Sequence, residues 1–199
     1  MSDIKYFNRW GIEGIQVKDP GLVQYITVSP MIVPKTGARY AKNRFHKSKA
    51  TIVERFMNKI MVTGHKGKKH TQSSGSKTGK AQTVLGLMEQ TLEAVEKRTK
   101  QNPILVLVAA IENAAPREEI VTIEYGGARY PKAVECSPQR RVDVAIRNMT
   151  QGASQKAFAS KKSMIDALTE EIVAAFNLSN QSAAVQKKFD LERQADSSR

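Results

Sequence analysis

Apolar residues recur along most of this chain at helical spacing, and in one stretch they switch to strict alternation. Ile52, Val53, Phe56, Met57, Ile60 and Met61 fall on one side of a helix. Thr51 and Glu54 open it at the capping-box spacing. Arg55, Asn58 and Lys59 lie off that stripe and are expected to face outward. A second helix is predicted from about Gln82 to Arg98, with Val84, Leu85, Met88, Leu92 and Val95 as its stripe. Asn102-Pro103 then reads as a cap and first turn. The run ILVLVAAI at 104–111 suits a buried strand or a buried helix, and the cap, the alanines and Glu112 favour the helix.

After Pro116 the period becomes two. Val121, Ile123 and Tyr125 alternate with Thr122 and Glu124, and beyond Gly126-Gly127 come Tyr130, Lys132 and Val134. This predicts a β-hairpin at about 119–136 with a Gly-Gly turn, where Pro131 is tolerable because a two-stranded ribbon consists only of edges. Helices are expected again from about Pro138 to Gly152, from Ser163 to Asn177, and from Ser182 into the C-terminal residues. Residues 1–45 are broken by Pro20, Pro30 and Pro34 and carry apolar residues only in short pieces such as Val23 to Val28. The pattern predicts a mainly α fold: five or six bundled helices, a hairpin between the third and fourth, and an extended N-terminal arm. The division expected is an arm over 1–45 and a helical domain over 46–199.

Charge changes the picture. The net charge is +13 over 199 residues, and it is segregated. Residues 35–80 hold 13 Lys or Arg against the single acid Glu54, and residues 139–162 hold six against Asp143. Two basic blocks of this kind point to a polyanionic partner, nucleic acid first and an acidic membrane surface second. A hydrophobic content of 40% excludes a wholly disordered chain. Cys136 is the only cysteine, which excludes an internal disulfide and a cysteine zinc cluster and fits a reducing compartment. No apolar run reaches the roughly 18 residues of a membrane span, and residues 1–30 lack a signal-peptide pattern. A cytoplasmic protein without membrane attachment or homo-oligomer is expected.

Candidate chemistry is sparse. His65 and His70 lie in the Gly/Ser-rich basic segment 63–80, and neither they nor His46 have acids or thiols nearby for a metal. GHKGKK at 64–69 lacks the spacing and preceding strand of a phosphate loop. Cys136 reads as a small, partly buried residue, and Glu118, Glu119, Glu124 and Glu135 as solvated or salt-bridged groups. No metal, cofactor or catalytic activity is expected.

The cations remain. Arg39, Lys42, Arg44, Lys47 and Lys49 interleave with Tyr40 and Phe45, a pattern suited to RNA or DNA by charge and stacking. Lys66, Lys68 and Lys69 continue the tract. Lys49, Arg55 and Lys59 suit either RNA contact or an ordinary solvated helix face. Tyr125, Arg129, Tyr130 and Lys132 suit turn packing, or a ribbon probing an RNA groove or a protein neighbour. In SPQRRVDVAIR, Arg140 and Arg141 occupy the first turn of a helix, where the macrodipole disfavours cations by roughly 0.3–1 kcal/mol each. A phosphate seated there would satisfy dipole and guanidinium groups together, with Arg147 two turns on; alternatively the arginines reach Glu135 or another local acid.

IVERFMNKIM, NPILVLVAAIENAAPREE, YGGARYPKAVECSPQRRVDVAIR and AAVQKKFDLERQADSSR, in that order, resemble the universal small-subunit ribosomal protein family numbered seven in bacteria and five in eukaryotes. KYFNRWGIEGIQVKDPGLVQYITV resembles its archaeal and eukaryotic branch, the archaeal first of the two. The resemblance implies a helical domain with a protruding hairpin that binds the 3′ major (head) domain of small-subunit rRNA and nucleates head assembly. It implies RNA contact by the 35–50 tract, Lys49 to Lys59, Tyr125 to Lys132 and Arg140 to Arg147. It places the hairpin near the exit-site tRNA and the mRNA exit, beside a platform protein. The loop HTQSSGSKTGK at 70–80 is longer and richer in Ser and Gly than the family pattern. The competing reading is a helical nucleic-acid-binding regulator outside the ribosome.

Overall fold

The computed structural model describes residues 4–66, 69, 70, 72 and 75–199; the expectations placed on Lys68 and on the Lys66 side chain fall outside them. In chain order the elements are α1 (His46–Lys49), α2 (Ile52–Ile60), β1 (His65–Lys66), β2 (Lys69–His70), α3 (Ala81–Thr99), α4 (Pro103–Ala114), β3 (Glu118–Tyr125), β4 (Ala128–Glu135), α5 (Pro138–Ala157), α6 (Met164–Phe176) and α7 (Ala183–Asp196). The fold is mainly helical, as the periodicity predicts. Leaving aside the single turn α1, which no apolar pattern marks, the hairpin β3–β4 follows the third long helix and precedes the fourth.

Helix α4 settles the ambiguous apolar run. Asn102 accepts from the Ile104 N–H at 3.0 Å, and Pro103 occupies the first turn. Most of the helix is buried, with only the face of Leu105, Ala109, Glu112 and Asn113 partly open, and α3, α5, α6 and α7 all pack against it. Helix α5 runs on to Ala157 rather than ending at Gly152, because Gly152 serves packing there and not chain reversal. A Cβ at residue 152 would stand 2.6 Å from the Ala183 Cβ, so the glycine lets α7 approach α5 closely. The wholly buried Glu171 ties α6 to the same two helices. Its Oε1 accepts from the Ser182 hydroxyl at 2.7 Å and the Ala184 N–H at 3.0 Å, and its Oε2 from Lys156 at 2.9 Å.

The arm lies along this body. Tyr6, Trp10, Leu22 and Ile26 are buried in the common core, and the Trp10 indole N–H donates to Glu96 of α3 at 3.0 Å. Glu112 of α4 accepts from the backbone N–H groups of Lys18 and Asp19. At α2 only half of the expected capping box forms: Thr51 Oγ1 accepts from the Glu54 N–H at 3.3 Å. The Glu54 carboxylate turns to the arm instead, accepting from the Thr36 N–H at 3.1 Å and its hydroxyl at 2.8 Å. Short apolar pieces separated by prolines can fill such grooves without any periodic stripe of their own.

The hairpin is antiparallel, from Glu118 opposite Glu135 to Tyr125 opposite Ala128, one residue earlier than predicted at each end. Gly126 and Gly127 take φ of +59° and +81°, the left-handed conformations a two-residue turn requires. Pro131 sits opposite Thr122, as the all-edge ribbon permits. Alternation predicts one buried face, but beyond the root both faces are exposed, so Val121, Ile123, Tyr125 and Tyr130 form an uncovered apolar row.

Gly152→Ala is expected to destabilise the fold. The helix-propensity gain of about 1 kcal/mol is outweighed by overpacking against Ala183, which costs about 1–3 kcal/mol. Chemical denaturation of the two proteins measures the difference, and a more stable alanine variant would contradict the close approach of α5 and α7.

Candidate nucleic-acid interface

The first long helix, the single turn α1 and the start of α5 converge on a concave face. Two adjoining clefts, of 310 and 480 Å³, share Lys47, Lys59 and Asp143 in their walls. Tyr40, His46 and Arg55 line the first; Phe45, Arg140 and Arg147 line the second. Asp143 is the one carboxylate lining either cleft among the described residues. It accepts from Lys47 at 3.2 Å and from Arg55 at 3.1 Å. Neither Lys59 nor Arg147 has an ion pair within 4.0 Å among the described residues, so the face keeps an uncompensated positive charge.

The consequence is visible at Lys59. Partial burial holds its ammonium below the ordinary lysine range; Asp143 works against that, while Arg147 and Lys47 add to it. A phosphate entering here would supply the counter-charge that Lys59 lacks.

Aromatic groups border the same face. Tyr40 stacks on His46, with ring centroids 6.1 Å apart and planes 16° from parallel. Phe45 caps α1 from a left-handed φ of +54°, leaving its ring half exposed beneath the Arg44 guanidinium at 5.1 Å. Arg39, Lys42, Arg44, Lys47 and Lys49 are all exposed around it.

Two expectations need correction. Arg55 does not face outward. It is buried, donating to the Tyr25 carbonyl at 2.7 Å and to Asp143, because the arm covers the side of α2 opposite its apolar stripe. Nor do Arg140 and Arg141 stand unpaired at the start of α5. Arg141 donates to Asp19 at 2.7 Å and to the Pro116 carbonyl at 3.1 Å, and is nearly enclosed. Burial pushes the Asp19 carboxyl upward, but the Arg141 hydrogen bond and the Gly21 N–H outweigh it and hold the group below the usual carboxylate range. Arg140 forms a two-point fork with Glu119, Nε to Oε1 at 2.5 Å and Nη2 to Oε2 at 2.7 Å. The local acids are therefore Glu119 and Asp19, not Glu135. Ser137 occupies the cap position without a side-chain cap bond.

The description Ribosomal protein S7p/S5e matches residues 22–199. The chain belongs to this family. It is 52% identical to the small ribosomal subunit protein uS7 of Nanoarchaeum equitans (strain Kin4-M), over 98% of this chain and 99% of that one. It is 43% identical to the protein of that name in Methanococcus maripaludis (strain C6), over 99% of this chain and the whole of the other. The corresponding protein of Archaeoglobus fulgidus is also 43% identical, over 99% of this chain and 96% of its own length. The resemblance to the archaeal branch is thereby confirmed.

Within this S7p/S5e chain the structure gathers Tyr40, Phe45, Lys47, Arg55, Lys59, Arg140 and Arg147 onto one face. It does not bring the hairpin residues to that face. Tyr125, which is 82% exposed, and Tyr130 project with Lys132 from one side of the ribbon, while Arg129 pairs with Glu124 at 3.6 Å on the other. Lys69 is exposed on β2. Sequence reasoning missed Asp19 and left the partners of Glu119 and Asp143 unassigned, yet these three acids decide which cations are engaged. Nothing local marks them, since their partners lie 21 to 122 positions away.

Cys136 lies buried at the hairpin root, where desolvation and then Glu119 push its thiol up to about 11. At pH 8 its thiolate fraction is expected to be about 100-fold below that of the unfolded chain, and labelling with a thiol reagent correspondingly slow. The sign follows for stability: the contribution is full below the unfolded value near 9 and is lost as pH rises toward 11. Labelling as fast in the native as in the denatured protein would contradict this environment.

Proposed function

We propose that this chain is a structural, non-catalytic component of the small ribosomal subunit that binds the 3′ major (head) domain of small-subunit rRNA and nucleates assembly of the head. The observation that carries the reading is the concave face on which Lys47, Lys59, Arg140 and Arg147 meet a single carboxylate, Asp143, in a member of the S7p/S5e family. Phosphates entering these clefts gain charge-assisted contacts, and half-exposed Phe45 offers a surface on which an unpaired base can stack. Because the cations come from separate elements, recognition follows the shape of a folded RNA rather than a base code read by one helix. Lys49, Arg39, Lys42, Arg44 and Lys69 extend the footprint.

The hairpin serves a second contact. Its Tyr125, Tyr130, Arg129 and Lys132 stand clear of the body, suited to a site near the exit-site tRNA and the mRNA exit, beside a neighbouring platform protein. The location that follows is the head of the small subunit in the cytoplasm. Among the described residues no helix is long and apolar enough to cross a membrane.

Binding to a transcript of the rRNA head domain, titrated with salt beside unrelated RNA of equal length and duplex DNA, tests the reading. Selective binding is expected, with Lys59→Ala and Arg147→Ala each weakening it about 3- to 10-fold and lowering the salt slope by about 0.7–0.9. Equal affinity for all three nucleic acids would favour instead a helical nucleic-acid-binding regulator outside the ribosome.

A further inference from the structure

We propose that Glu119, an acid at the root of the hairpin, is a positioning residue for RNA binding: it holds Arg140 by one edge so that the opposite edge of the guanidinium is presented to phosphate in the basic cleft. This rests on the placement of rRNA in that cleft. The fork uses Nε and Nη2 of Arg140, leaving Nη1 and the second N–H of Nη2 without a partner among the described residues. The two side chains are unequally exposed, 53% for Arg140 and 17% for Glu119. Arg140 lines the 480 Å³ cleft with Lys47, Lys59 and Arg147, whereas Glu119 is not among its walls. The more exposed member of the pair is therefore the one in the cleft wall, and the more enclosed carboxylate lies outside it.

Arg141, one residue along, shows the contrast. Asp19 and the Pro116 carbonyl engage it, only 12% of its side chain remains exposed, and it lines neither cleft. It is a strut between the arm and α5, while Arg140 is the member of the pair that faces outward. A guanidinium has five donors in a rigid plane, so two can be anchored on a carboxylate while the others remain available to a second anion. Anchoring removes rotamer freedom before RNA arrives, which lowers the entropic cost of forming the phosphate contact.

Charge alone says that deleting an acid beside a phosphate site tightens RNA binding. Positioning says that Glu119→Gln, which keeps the shape of the side chain but loses the charged fork, weakens it.

The experiment measures affinity of the full chain for the head-domain transcript at one fixed salt concentration, in wild type, Glu119→Gln, Arg140→Ala, the double variant and Lys59→Ala, with thermal unfolding of each. Expected are about 3- to 10-fold weaker binding for Glu119→Gln and no further weakening when it is added to Arg140→Ala. Equal or tighter binding by Glu119→Gln, with Arg140→Ala and Lys59→Ala weakened, overturns the positioning role alone. Weakening that persists on the Arg140→Ala background assigns Glu119 to the folding of the hairpin root and also overturns it. Unchanged binding in both Arg140→Ala and Lys59→Ala removes the RNA from this cleft, and the proposal falls with that reading.

Discussion

Burial of most of the surface of α4 sets the arrangement of the other elements. A twelve-residue helix that is apolar over most of its circumference is stable in water only when largely covered, and α3, α5, α6 and α7 supply that cover. The arm completes the shell by seating Tyr6, Trp10, Leu22 and Ile26 in the grooves the helices leave. Because the interior is assigned to α4, the start of α5, the whole of α1 and the outer part of α2 are brought together at the edge of the bundle. That edge is where the basic blocks meet.

Acids then decide what those basic blocks can do. Glu171 is wholly buried and spends its charge on joining α5, α6 and α7, with each oxygen hydrogen-bonded. Asp19 fastens Arg141 to the arm, and Asp143 holds Arg55 in the wall of the first cleft. Each such pair converts a cation from a free surface charge into a structural tie, and satisfies groups that would be costly to bury alone. What is left over lies open: Lys59 and Arg147 line clefts with one carboxylate in their walls, and the cations near Phe45 are exposed. A basic chain is thus divided into cations that hold the fold and cations left open to solvent.

The hairpin obeys a different economy of contacts. Its root is clamped on both sides, Glu119 by Arg140 and Glu118 by Arg199 at 2.5 and 2.6 Å, while its tip carries apolar and aromatic groups into solvent. Two adjacent strand residues point to opposite faces, so two separate arginines are required to grip both. The ribbon is in this way a projection anchored at its root rather than part of the core.

Local chemistry made much of this legible from the amino-acid order alone. The helix spacing of Ile52 to Met61, the Asn102-Pro103 start, the Gly126-Gly127 reversal and the Ser163 and Ser182 starts depend on residues within a few positions of one another, and each appears where the pattern puts it. The segregation of charge, likewise visible in the sequence, indicated a polyanionic partner. What the sequence could not decide was which cations remain available. Arg55 and Arg140 look alike in a one-dimensional reading, yet one is buried on Asp143 and the other half exposed on Glu119. Those pairings join residues 88 and 21 positions apart, and Arg141 meets Asp19 across 122. Periodicity reports which face of an element is apolar; only the packed bundle determines which acid arrives opposite each cation.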